Sequence, residues 1–273
     1  MNAVSMDIGS QAWNELTAGL ITARPDRQRL EKLCNILTTI THFDDCVVFV
    51  YEQNTPPIDL YDSFPEGQRN IYVGDYQAGP YLLDPFYQAC VDRTSEGWYR
   101  MRQLAPDHFY LSEYYLSYYK RTGLAEEIGY FCPVSGTAMA VLSLMRKHDS
   151  GTFCERDLEK LAQLQALVNQ TLISVWHHHK ANDASPCTEK IPGSMVEQAF
   201  SGFGQDQLTQ REQQIVRLLL KGHSTASVAS ELNISAGTVK IHRKNIYFKL
   251  GVTSQAELFV RFIDSLDAGA RPD

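Results

Sequence analysis

Apolar positions along the chain follow two different periods, and the change from one to the other marks the elements. Between Asp26 and Ile40 the residues Leu30, Leu33, Ile36, Leu37 and Ile40 fall three and four apart, which places them on one helix face. Cys46–Tyr51 (CVVFVY) is a short unbroken run of β-branched and aromatic residues and predicts a buried strand. Tyr130–Val134 and Ala138–Met145 predict two more strands, joined across Ser135–Gly136. Asp107–Thr122 predicts a helix ended by Gly123, and Thr152-x-x-Glu155 is a capping box opening a helix to Trp176. Helix, sheet and helix in this order imply an α+β domain, an antiparallel sheet between helices in an α-β-α sandwich, as in small-molecule sensor domains.

After Trp176 the periodicity is lost. The stretch HHHKANDASPCTEKIPGSMVEQAFSGFGQDQ, punctuated by Pro186, Pro192, Gly193, Gly202 and Gly204, predicts a linker with one short helix around Met195–Phe200. His177-His178-His179 falls in it; three consecutive residues of a helix point in different directions, so linker is the preferred reading over a metal site. The expected organisation is a ligand-sensing and dimerisation domain over 1–180, a linker over 181–204 and a second domain over 205–273. A length of 273 residues is enough for two domains with a core each.

The second domain spells out four helices with their stops. Thr209-x-x-Glu212 caps the first, which carries Ile215, Val216, Leu218 and Leu219 and ends at Gly222. Ser224 caps the second, with Val228, Ala229 and Leu232 facing inward. Asn233-Ile234-Ser235 makes a tight turn, and Ser235 caps a third helix, Ala236–Leu250, closed by Gly251. Val239, Ile246 and Leu250 form its buried stripe, and Ser254-x-x-Glu257 caps a fourth helix carrying Leu258, Phe259, Phe262 and Ile263.

Composition narrows the class. With 44% hydrophobic, 21% charged and 11% aromatic residues, the chain is neither disordered nor low in complexity. Six cysteines without a CxxC pair argue against a zinc site or a disulfide framework and for a reducing compartment. MNAVSMDIGSQAW has no signal-peptide pattern. The uncharged run Ile128–Met145 contains Pro133, Ser135, Gly136, Thr137 and Ser143, and predicts strands rather than a membrane span. A soluble, cytoplasmic protein with no membrane partner is expected. The net charge is −7, yet residues 206–266 hold eight basic residues against five acidic ones, so an anionic partner is expected for that module alone. GxSxG, HExxH, a glycine-rich phosphate loop and the acidic pattern of a phospho-receiver are all missing, so neither catalysis nor a cofactor is expected.

Two helices joined by a three-residue turn form a helix-turn-helix, whose second helix can enter the major groove of double-stranded DNA. Thr238, Lys240, Ile241, His242, Arg243, Lys244 and Asn245 are the candidate contacts, since lysine and arginine neutralise phosphates or donate to guanine and an amide addresses adenine or a phosphate. A helical subdomain with a charged surface is the plainer alternative. At this point the chain resembles the C-terminal domain of LuxR-type transcriptional regulators. It matches at Leu208, Thr209, Arg211, Glu212, Gly222, Ser224, Ile234, Ser235, Thr238, Val239, Lys240, His242, Asn245, Ile246, Lys249, Leu250, Gly251 and Val252. The resemblance implies base reading by Lys240, Ile241 and Lys244, with Thr238, His242 and Asn245 near the phosphates. Thr225, Ala226, Ser227 and Gln255 depart from the family pattern. One such domain contacts few bases, so a homodimer on a palindromic operator is expected, with RNA polymerase a further candidate partner. Leu158, Leu161, Val168, Leu172 and Val175 offer either a dimer seam or a face packed on the chain's own sheet.

Most of the fourteen tyrosines lie between Tyr72 and Tyr130, among them Tyr110, Tyr114 and Tyr118 at helical spacing, with Asp84, Glu113, Glu126 and Glu127 interleaved. Aromatic faces with a few carboxylates suit a cationic or amine-bearing effector; the alternative is an aromatic core. The region resembles, more weakly, the autoinducer-binding domain of the same family through Tyr76, Asp84-Pro85, Trp98 and Ala138–Leu144. That resemblance implies an acyl-homoserine lactone held by Asp84, whereas Tyr72 stands where the family has a tryptophan. Candidate ligand-binding residues are therefore Tyr72, Tyr76, Asp84, Trp98, Tyr114 and Tyr118. A protein partner or a redox-active cysteine at this domain are the rival readings.

Overall fold

In the computed structural model, which describes residues 9–52, 55–117, 119–182, 199–200 and 202–269, contacts divide the chain into two compact units. One comprises Met1–Arg69, Asp92–Gln103 and Leu124–Lys190; the other comprises Asn70–Val91, Leu104–Gly123 and Ile191–Asp273. Residues 70–91 and 104–123, expected with domain 1–180, thus group with the C-terminal helices.

The first unit opens with helices α1 (Gln11–Thr22) and α2 (Asp26–Ile40), the latter with the expected bounds. Strands β1 (Asp45–Glu52), β2 (Ile58–Asp62), β3 (Gly97–Arg100), β4 (Leu124–Pro133) and β5 (Ala138–Lys147) form one antiparallel sheet in the order β2-β1-β5-β4-β3. β1 pairs with β5 along its whole length, from Asp45 opposite Met145 to Glu52 opposite Ala138. One sheet face, including Val48, Val50, Ile128, Tyr130, Leu142 and Leu144, joins Leu30, Leu33 and Leu37 of α2 in the apolar core. The alternate residues Val47, Phe49, Phe131 and Val141 are buried as well, which is why these strands read as continuous apolar runs.

The expected single helix from Thr152 to Trp176 is two helices, α3 (Glu155–Ala162) and α4 (Gln165–Asn182). Cys154, not Thr152, is the cap residue, its N–H donating to Asp157 Oδ2 at 3.1 Å. The break is made by a bond from the sheet together with a tightened turn. The Leu161 carbonyl accepts from Leu164 N–H at 3.0 Å and from the Tyr130 hydroxyl at 2.8 Å, which tightens the turn. Leu158, Leu161, Val168, Leu172 and Val175 all belong to the chain's own core, so this stripe is packed on its own sheet and is not a free dimer seam. α4 also carries His177–His179, which are helical rather than linker; His179 stacks on Trp176 and His178 Nδ1 lies 3.3 Å from Asp26. Most of the expected linker, including much of the Met195–Phe200 helix, lies outside the described residues, although Ala199 and Phe200 are helical.

Two buried cations tie the unit together. Arg100 donates to Glu126 at 2.6 Å, and Glu126 accepts the Phe153 N–H at 2.7 Å. Arg146 donates to the carbonyls of His42 and Thr152, to the Thr41 hydroxyl and to Asp157, satisfying a charge that is expensive to bury unpaired. Among the described residues no helix is long and apolar enough to cross a membrane.

Candidate nucleic-acid interface and tyrosine cage

The four C-terminal helices form where their caps predict: α5 (Gln210–Lys221), α6 (Thr225–Glu231), α7 (Ala236–Leu250) and α8 (Gln255–Gly269). Ser224 Oγ accepts from Ser227 N–H and Ser235 Oγ from Thr238 N–H, both at 3.0 Å, so each helix starts with a satisfied amide. Gly222 (φ +96°) and Gly251 (φ +65°) close α5 and α7 in the left-handed conformation. Between α6 and α7 the turn is made by Asn233, which also has a positive φ of 53°. Ile215, Val228, Val239, Ile246, Leu250, Leu258 and Phe262 fill the core.

An ion pair fixes the end of α7 to the start of α5. Glu212, buried at the third position of α5, accepts from Lys249 Nζ at 2.6 Å, from Thr209 N–H at 2.8 Å and from the Thr209 hydroxyl at 3.0 Å. Burial works to raise its carboxyl, but Lys249 and Thr209 outweigh it and hold the group below the usual value. With α7 locked in this way, the face opposite Val239, Ile246 and Leu250 is exposed and carries Lys240, Ile241, Lys244 and Asn245. Arg243 is exposed at the border, its guanidinium 5.7 Å from the Tyr247 ring centroid. Thr238 and His242 are half-buried, and His242 Nδ1 has no hydrogen-bond partner among the described residues. α7 contains no acidic residue. Gln255, one of the departures from the family pattern, donates to the Leu219 carbonyl at 3.1 Å.

The tyrosine-rich stretch is not the single helix expected over Asp107–Thr122. It is a 3-10 turn (Phe109–Leu111), a short helix (Glu113–Ser117) and a second 3-10 turn (Tyr119–Thr122). The bends gather the rings of Tyr110, Tyr114, Tyr115 and Tyr119 within 5.3–5.9 Å of the fully buried Phe109, which one straight helix would distribute around its circumference. Tyr110 is nearly half exposed and Tyr114 buried, so the two do not share a face; Tyr118 lies outside the described residues.

Among the described residues, four of the candidate ligand residues, Tyr72, Tyr76, Asp84 and Tyr114, are in this second unit. Asp84 is buried and caps the helix Pro85–Val91, its Oδ1 accepting from Phe86 N–H at 2.7 Å and its Oδ2 from the Tyr76 hydroxyl at 2.7 Å. The Tyr87 amide and the Tyr114 side chain bond it too. Burial nevertheless dominates and pushes the carboxyl up to about 6. The Tyr72 hydroxyl donates to the Thr122 carbonyl at 2.7 Å. Trp98 is in β3 of the other unit and packs against the sheet core. Tyr81 and Tyr87, not singled out from sequence, are buried edge-to-face at 4.9 Å, and Tyr81 lies 6.2 Å from Tyr76.

The same unit contains a contact that no local signal could reveal. Asp107 Oδ1 accepts from Ser224 N–H at 3.0 Å, and His108 N–H donates to the Gly222 carbonyl at 3.0 Å. Burial would raise Asp107, yet the hydroxyl and amide of Ser224 hold it below the ordinary carboxylate value. The turn opening α6 is thus bonded to the segment that carries Tyr114.

A short turn between two capped helices, followed by an exposed basic face on the second, defines a helix-turn-helix transcriptional regulator. The family model for bacterial regulatory proteins of the luxR family matches residues 206–262. The chain is 35% identical over 187 residues to the HTH-type transcriptional regulator in the exeN 3′ region of Aeromonas salmonicida, covering 67% of this chain and 94% of that protein. It is 43% identical over 60 residues to the transcriptional regulatory protein UhpA of Escherichia coli, covering 22% of this chain and 31% of that one. In fold it is similar to the VqsR LBD domain of Pseudomonas aeruginosa, with a TM-score of 0.56 at 22% identity over 63% of this chain and 99% of that one. The chain belongs to the LuxR family of transcriptional regulators.

Proposed function

We propose that this regulator binds an amine-bearing or cationic small molecule beside the tyrosines around Asp84, and that binding changes the operator affinity of a cytoplasmic homodimer. The observation that carries the reading is the continuity of residues 104–123. Tyr114 bonds the Asp84 carboxylate, while Asp107 and His108 hold the turn at Gly222 and Ser224. A ligand that rearranges the cage acts on the same stretch of backbone that holds the reader, a route for a coupling free energy of about 1–3 kcal/mol. Charge supports the ligand class. Asp84 is buried among two hydroxyls and two amides, none of them cationic, and a bound amine would supply the missing counter-charge. The Tyr72 hydroxyl, given to a backbone carbonyl, favours this over a lactone headgroup. In the reader, Lys240, Ile241 and Lys244 address base edges, and Thr238, His242, Arg243 and Asn245 lie toward the phosphates of a palindromic site.

The test is a thermal-shift screen of the full chain with amines, quaternary ammonium compounds, amino acids and acyl-homoserine lactones, with DNA binding measured alongside. A ligand at 100 times its Kd adds about 2.7 kcal/mol and raises the melting point by several degrees. A shift from cationic ligands, absent in Asp84→Asn, is expected; a shift from lactones alone would restore the autoinducer reading, and silence would favour a protein partner. Burial raises the thiols of Cys90 and Cys132, the latter to about 12, so these are not the low-pKa sensors a redox reading requires. Lys240→Ala and Lys244→Ala are expected to weaken operator binding without loss of fold, and full affinity in both would remove the assigned reader face.

A further inference from the structure

We infer that Phe248 is a DNA-contacting residue that reads a thymine methyl group, an apolar addition to the basic face of α7; the inference rests on the reading of α7 as the DNA-facing helix. Phe248 is 88% exposed, the greatest exposure of any large hydrophobic side chain among the described residues. It does not belong to the core stripe. Counting 100° per residue, it lies almost opposite Ile246 and Leu250 and on the same side as Ile241, which is itself 65% exposed. Ile241, Lys244 and Phe248 are spaced by three and four, one line along the helix, apolar at both ends and cationic in the middle.

Charge decides what covers this line. Lys244 lies on it and Lys240 and Arg243 are exposed beside it, Lys249 being paired with Glu212, and α7 has no acidic residue, so a second copy docked through this face would set cations against cations. A polyanion meets no such repulsion. Among the groups that double-stranded DNA offers an apolar ring in the major groove, the thymine C5 methyl is the one that identifies a base. Seven residues of helix separate Phe248 from Ile241 by about 10 Å along the axis, roughly three base-pair steps, so the ring samples a different part of the half-site from Lys240 and Ile241.

The experiment uses the full chain and a fluorescent duplex selected from random sequence by the wild-type protein, with binding followed by anisotropy. Each thymine of the half-site is then replaced singly by deoxyuridine, which lacks only the methyl group. Wild type should lose about fourfold at one position, the worth of one methyl removed from an apolar contact. Phe248→Ala should bind about tenfold more weakly, with an unchanged salt slope because no charge is removed, and should be indifferent to that same uridine. Phe248→Leu should keep most of the affinity. The side chain is exposed, so these variants should fold, and amide exchange over α7 checks it. Full affinity in Phe248→Ala, equal sensitivity of both proteins to every uridine, or a loss traced by light scattering to a changed association state would each overturn the inference. Lys244→Ala separates the two readings: if it weakens binding while Phe248→Ala does not, this inference alone fails, and if neither weakens binding, the DNA-facing assignment of α7 fails with it.

Discussion

Glu212→Ala tests how the reader is held together. The carboxylate has a side-chain exposure of 4% and joins three donors on two helices, whereas its partner Lys249 is 35% exposed. Removing it deletes the back-bond of the capping box at Thr209, a loss of about 1 kcal/mol. It also leaves the Lys249 ammonium without its anion. Breaking a fully buried pair costs about 3–5 kcal/mol, but an ammonium one-third exposed regains some water, which moves the expected total to about 2–3 kcal/mol. Four short helices around a small core have little stability to spare. Trp13, Trp98 and Trp176 all precede residue 191, so tryptophan emission does not follow this part of the chain, and hydrogen exchange of peptides from 209–252 is the proper assay. Exchange by local opening should accelerate about 30- to 150-fold, while Glu212→Gln, which can still accept from Thr209, should lie between the variant and wild type. The paired state is favoured by ionisation, since the folded carboxyl sits below its usual value. Its contribution is therefore present above the ordinary carboxylate range and is lost as pH falls through the lowered value. Unchanged exchange in Glu212→Ala would refute the reasoning.

Asp84 predicts the opposite pH dependence. Burial lifts it from 3.8 to about 6, so in that window the folded chain retains a proton that the unfolded chain has released. Its stabilising contribution is full below pH of about 4 and declines as pH rises through about 6, and Asp84→Asn, neutral throughout, should flatten that part of a melting-temperature profile. Parallel profiles for the two proteins would contradict the assignment. Of the left-handed glycines that close α5 and α7, Gly251 has open space where a Cβ would stand, and Gly251→Ala should cost about 1 kcal/mol for backbone strain alone. At Gly222 the added carbon would lie 3.0 Å from Phe109 Cα, so Gly222→Ala should destabilise more and should also loosen the contact with residues 107–109. Equal effects on exchange at the two sites would mean that this contact carries no weight.

The reader was legible almost residue by residue. Its signals are local: Thr209 with Glu212, Ser224, Gly222, Ser235 and Gly251 each act within a few residues, and the caps formed where expected. The strands β1 and β5 were equally plain because apolar β-branched runs declare themselves, whereas only the last four residues of β4 were anticipated, since Glu126 and Glu127 interrupt the apolar run nearer its start. β2 and β3 were not anticipated: β2 is short and only partly buried, and β3 is four residues long. Of the two helix predictions that broke, the one over Thr152–Trp176 did so for a reason outside its own sequence, and the one over Asp107–Thr122 through the packing of its own rings. Tyr130 takes the Leu161 carbonyl from 31 residues away, and the bends at 109–122 collect rings around Phe109.

By itself, then, the sequence determined the helix-turn-helix, its basic exposed face and the central strands of the antiparallel sheet, because propensity, capping and periodicity operate over one or two turns of chain. Tertiary structure decided the rest. It buried the Asp84 carboxylate among neutral hydroxyls and amides, and it buried the stripe of α3 and α4 in the chain's own core. It also brought Asp107 onto Ser224, 117 residues further along. A contact over that separation exists only once both segments are already folded, since the loop entropy lost in bringing them together is repaid by the packing around them and not by anything written beside either residue.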